Sequence, residues 1–134
     1  MDIKELKPTS IWHYFDAITG VPRPSKKEER IREFLLNFAK EQNLEVKVDK
    51  TGNVVITKEA TPGCEGAPTV ILQAHMDMVC EKNGDVKHDF ERDPIETYID
   101  GEWVKARGTT LGADNGIGMA AAMAVLADKE LKHG

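Results

Sequence analysis

The sequence predicts an α/β fold, a mixed β-sheet flanked by helices. Three stretches carry that prediction. Residues 26–43, KKEERIREFLLNFAKEQN, set Ile31, Phe34, Leu35 and Phe38 at spacings of three and four, which makes one apolar helix face. Residues 69–74, TVILQA, are a continuous apolar, β-branched run, the pattern of a central strand covered on both faces. Residues 116–129, GIGMAAAMAVLADK, read as an Ala-rich helix that starts at small residues.

The other elements follow in chain order. Thr9 to Ile18 has apolar residues at helical spacing behind a Thr/Ser cap, so a short helix is expected. The two prolines of VPRPS then exclude its continuation. Ser25 is placed to cap the next helix, with Glu28 three positions later completing a capping box. LEVKVDK and NVVITKE alternate apolar and polar residues around Thr51-Gly52-Asn53, a β-hairpin pattern. Residues 60–68 form a Pro/Gly-rich loop. ETYID and EWVKAR flank Asp100-Gly101, the signal for a second hairpin with a two-residue turn. The 134 residues suffice for one compact unit, without internal repeats or an interdomain linker.

Charge and composition narrow the function. The net charge is −5, with the lysines spread singly among acidic residues, which disfavours nucleic acid as a partner. No apolar run approaches the roughly 20 residues needed to span a bilayer, so no membrane partner is expected. MDIKELKPTS lacks the apolar centre of a signal peptide. Cys64 and Cys80 have no CxxC spacing and are expected to be free thiols in a cytoplasmic setting.

Two stretches carry chemistry. In LQAHMDMVCEKN, His75 and Asp77 end the apolar run two positions apart, so as strand residues they share a face. Ligands of open α/β sheets bind outside such carboxyl strand ends. One imidazole nitrogen can then bind a cation while Asp77 accepts the proton of the other and fixes the ring. The same residues also fit a satisfied core histidine with an acidic neighbour. In LGADNGIG, Asp114 stands among Gly112, Gly116 and Gly118 just before a helix. Glycines allow positive φ and a close backbone approach to a ligand, and the helix start favours a carboxylate. A carboxylate there can bridge two cations, or it can simply cap the helix beside an Asn-Gly turn. Residues 116–121 also match the dinucleotide fingerprint G-x-G-x-x-A, but LGADN is not the apolar strand that motif requires. His13, His88 and His133 are expected to be structural or exposed, and Cys80 a packing thiol.

HMDMVCEKN, followed by DGEW and GTTLGADNGIGMAAAMAVL, resembles the aminoacyl-histidine dipeptidases, a branch of the di-zinc exopeptidases. The resemblance runs over nearly the whole chain. It implies hydrolysis of dipeptides with a C-terminal histidine, with two Zn2+ per active site and Mn2+ or Co2+ as alternatives. By position it implies that His75 is a zinc ligand, Asp77 the catalytic acid that orients it, and Asp114 the carboxylate bridging both metals. The family continues with a Glu-Glu pair, in which one glutamate is the general base. Here the only glutamate after Asp114 is Glu130, without an acidic neighbour. Residues 1–134 are therefore expected to be the N-terminal portion of a catalytic domain, inactive alone. A small peptide is the expected substrate, and a homodimer is an expectation for the full-length protein. The rival expectation is a non-catalytic binding or structural domain that retains the scaffold.

Overall fold

The computed structural model describes residues 1–134. After a 3-10 turn at Ile3–Glu5, helices α1 (Thr9–Thr19) and α2 (Glu29–Glu41) lead into strands β1 (Glu45–Val48) and β2 (Val54–Thr57). A long irregular segment precedes β3 (Thr97–Asp100) and β4 (Trp103–Ala106), and α3 (Ala113–Ala127) follows. The α/β class is as expected. Both two-stranded sheets are antiparallel hairpins, Val48 facing Val54 in the first and Asp100 facing Trp103 in the second. That register makes Gly101 and Glu102 the turn residues, one position later than the sequence suggested. Gly101 takes a φ of +59°, which glycine adopts at no steric cost.

The core lies where α1 meets α3 and α2. Ile3, Phe15, Ile18, Ile31, Leu35, Phe38, Met119, Ala120 and Met123 form one buried cluster. Burying a side chain such as Phe15 stabilises by roughly 1.5–3 kcal/mol, and Phe15 is completely covered. Its ring meets Trp12 edge-on at 5.8 Å, and Tyr14 meets Phe38 the same way at 5.5 Å. Ala120, also fully covered, lets α1 and α3 approach closely. The predicted apolar face of α2 is the one buried, with Phe34 half-buried at its margin.

Three local expectations fail. The run TVILQA forms no strand: the only ladder contact nearby is a parallel bridge between Pro24 and Met78. A strand exists through its neighbours, and both hairpins pair only within themselves. Val70, Ile71 and Leu72 are consequently exposed rather than covered on both faces. The Ser25 capping box is also absent. Helix α2 begins at Glu29 without a side-chain cap, and Glu28 Oε1 accepts from the Lys26 backbone N–H instead. Likewise α1 begins at Thr9 after Pro8, without a side-chain cap. No helix is long and apolar enough to cross a membrane.

Candidate metal centre

His75 and Asp77 sit on irregular backbone rather than at a strand tip, yet their side chains still meet. His75 Nδ1 lies 3.0 Å from Asp77 Oδ1 and 3.0 Å from the Asp77 carbonyl oxygen. Both partners are acceptors, so a proton on Nδ1 serves both. The other ring nitrogen, Nε2, lies 3.0 Å from Asp114 Oδ1. The three residues singled out from the sequence therefore converge, although Asp114 is 39 positions from His75.

Asp114 reaches this place by a break in α3. Its φ/ψ of −97° and 100° and those of Asn115 are not helical, and the peptide bond joining them is cis. The regular helix starts at Gly116. Its cap is Asn115, whose Oδ1 accepts from the Gly118 N–H at 3.0 Å. A Cβ at Gly118 would lie 2.2 Å from that oxygen, so a side chain there would displace the cap. Relieved of capping, the Asp114 side chain is 98% exposed, and its one side-chain partner is His75.

The electrostatics follow from these contacts. The Asp114 carboxylate, then Asp77, raises the His75 pKa above its ordinary value. The Asp77 carboxyl is held below its ordinary value, chiefly by the hydroxyl of Ser25 and then by His75. Ser25 Oγ donates to Asp77 Oδ2 at 2.5 Å, so both Asp77 oxygens are engaged.

A neutral ring with its proton on Nδ1 turns the Nε2 lone pair towards a carboxylate oxygen, whereas the protonated ring donates to it. Two acceptors facing each other repel unless a proton or a cation lies between them. Donors about 2.0–2.1 Å from one tetrahedral zinc lie roughly 3.3 Å apart, within a few tenths of an ångström of the separation here. This donor set, an imidazole nitrogen and a carboxylate oxygen, fits a divalent cation of that type. It is incomplete: no group of three or more His, Cys, Asp and Glu side chains is placed to hold a metal ion.

The remaining histidines stand apart. His13 packs edge-on against Tyr14, His88 lies against Phe90 with Nε2 buried and unpartnered, and His133 bonds to the C-terminal Gly134. Cys64 and Cys80 are free, as expected, and the Cys80 thiol points to the Met78 carbonyl. No strand runs into Gly116, so the fingerprint GIGMAA lacks its context.

The sequence reading missed Arg23 and Ser25. Arg23 is 2% exposed and donates to the carbonyls of Met76, Asp77 and Gly112. The partners of both residues lie far along the chain, so no local pattern marked them.

Among known proteins, the chain is 54% identical over 133 residues to the cytosol non-specific dipeptidase of Escherichia coli strain K12. Its fold matches the crystal structure of an aminoacylhistidine dipeptidase from Vibrio alginolyticus over 100% of this chain, with TM-score 0.97 and 57% identity. The chain is similar to dipeptidases. It spans 27% of the length of each of these two relatives. The likeness read from HMDMVCEKN and GTTLGADNGIG thus extends along the whole chain. A tripeptidase from Staphylococcus aureus subsp. aureus, 21% identical with TM-score 0.75, shares the fold over 96% of this chain and 35% of its own. No protein-family model matches.

Proposed function

We propose that residues 1–134 are the N-terminal portion of the catalytic domain of a cytoplasmic two-zinc dipeptidase whose substrates are dipeptides ending in histidine. The observation that carries this reading is the facing pair His75 Nε2 and Asp114 Oδ1 at 3.0 Å, with the other ring nitrogen, Nδ1, against Asp77 Oδ1. In this reading His75 is a ligand of one zinc. Asp77 accepts the Nδ1 proton, which fixes the tautomer and makes Nε2 the better donor. Asp114 would be the carboxylate shared by both metals: its Oδ1 faces His75, and its Oδ2 has no protein partner to compete for it. Manganese or cobalt suits the same donors.

When bound, a zinc pair supplies Lewis-acid polarisation and a hydroxide near neutral pH. The chain's own contribution is to present the imidazole nitrogen unprotonated and to offer a carboxylate free of capping duty. A catalytic zinc takes three protein ligands, so the remaining ligands and the general base belong to a longer protein. The chain by itself is inactive, and dimerisation is a property of that longer protein. The aminoacylhistidine dipeptidase supports the histidine-ending substrate class, while the cytosol non-specific dipeptidase supports dipeptide hydrolysis in general and the compartment.

The test is Asp114→Ala in the full-length protein, assayed on dipeptides with C-terminal histidine. Near wild-type turnover at saturating zinc would refute the bridging role.

A further inference from the structure

Between α1 and α2 the chain passes through Pro22-Arg23-Pro24-Ser25, and this turn touches both halves of the site. From its buried position Arg23 donates through Nη1 to the carbonyls of Met76 at 3.3 Å and Asp77 at 3.1 Å. Its Nη2 donates to the Gly112 carbonyl at 2.7 Å. One planar guanidinium thus ties the His75–Asp77 segment to the turn that carries Asp114. Lysine, a point charge on a flexible stem, cannot reproduce that fork.

The neighbouring glycines fit the same picture. A Cβ at Gly112 would lie 2.5 Å from Arg23 Nη2, and one at Gly116 would lie 2.9 Å from it. These glycines, which the sequence suggested make room for a ligand, make room for the guanidinium. Two residues on, Ser25 Oγ donates to Asp77 Oδ2, the carboxylate oxygen that His75 leaves free. Met78 N–H donates to the Arg23 carbonyl at 2.9 Å and pins the turn to the segment just beyond Asp77.

We propose that the Arg23–Ser25 turn is a positioning element of the metal centre: Arg23 sets the separation of His75 from Asp114, and Ser25 locks the Asp77 carboxylate that orients His75. Neither residue touches metal or substrate. The inference rests on the metal-site reading above and adds to it which side chains hold the two ligands in register. Partners of this kind typically change metal affinity by 10–100-fold when removed.

The experiment uses the full-length protein, with Co2+ affinity measured by chelator competition and kcat and KM measured separately. Ser25 is exposed, so Ser25→Ala leaves the thermal midpoint near wild type. It weakens Co2+ binding about 10-fold and lowers kcat more than KM, while Ser25→Thr, which keeps the hydroxyl, restores most of both. Arg23→Lys, assayed well below its own thermal midpoint, weakens Co2+ binding at least as much as Ser25→Ala. Wild-type affinity and kcat in Ser25→Ala overturn the role of Ser25, and the same result in Arg23→Lys overturns that of Arg23. His75→Ala in the same titration separates the two levels. If it too binds Co2+ as wild type does, the metal reading falls; if it alone loses affinity, only the positioning inference falls.

Discussion

Two acidic turns in this chain look alike in sequence and end differently. DKTGN at residues 49–53 and DNGIG at residues 114–118 each set an aspartate within a few positions of asparagine and glycine. In the first, Asp49 closes on its own loop: Oδ1 accepts from the N–H groups of Thr51, Gly52 and Asn53, and Oδ2 from the Asn53 side chain. In the second, Asn115 takes over the capping, and Asp114 is left facing only an imidazole. An aspartate whose oxygens are saturated by local N–H groups is a structural part of its turn. One denied every local N–H is available to a ligand.

The sharpest break in this comparison is Asp114→Ala. In the full-length protein it lowers kcat/KM by more than about 100-fold, beyond the range typical of a residue that merely supports a ligand. It leaves the thermal midpoint unchanged, because the side chain is almost fully exposed and holds no backbone group. A midpoint lowered in proportion to the lost activity would make Asp114 structural like Asp49. Gly118→Ala comes next. The added methyl displaces Asn115 Oδ1 and removes a cap, costing about 1 kcal/mol. Both the thermal midpoint and Co2+ affinity fall together. Lost stability with unchanged Co2+ affinity would show that the cap does not aim Asp114.

His75 and Asp77 could be singled out by their two-residue spacing and Asp114 by the glycines around it, and the structure brings the three side chains together. The helices were legible through apolar periodicity, and the two hairpins through alternation around Gly52 and Gly101. Arg23 and Ser25 were not, since their partners lie 52 to 89 positions away and no local pattern encodes such a contact. Ser25 even carried a misleading local signal, a glutamate three residues on, and the tertiary partner Asp77 outcompeted the helix cap. TVILQA shows the opposite limit: its strand-forming residues are evident, but a strand also needs neighbours on its edges, and here the run stays exposed. The break at Asp114 was invisible because the sequence around it reads equally well as a plain helix start.

The remaining predictions sharpen the structural side of the comparison, where stability should respond and metal affinity should not. Gly52 has a φ of +101°, and its carbonyl accepts from Arg32 Nε of α2 at 2.8 Å. A methyl there would both strain the backbone and lie 2.5 Å from Arg32 Nη2. Gly52→Ala therefore costs roughly 1–3 kcal/mol with unchanged Co2+ affinity and kcat, measured by chemical denaturation and turnover.

The smallest effect belongs to Asp49→Asn, and its pH dependence identifies the cause. The Asn53 side chain, then the turn N–H groups, hold the Asp49 carboxyl below its ordinary value. A carboxyl depressed by folding contributes stability above its unfolded pKa and loses it as pH falls through the folded value. Asp49→Asn keeps the shape and one acceptor but not the charge, so at neutral pH its thermal midpoint lies slightly below wild type. As the solution is acidified below the ordinary carboxylate range, wild type loses the contribution that the variant already lacks, and the two curves converge. A gap that stays constant down to strong acid would mean that shape, rather than the charge-assisted hydrogen bonds, holds the turn. Asp49 would then differ from Asp114 in geometry alone.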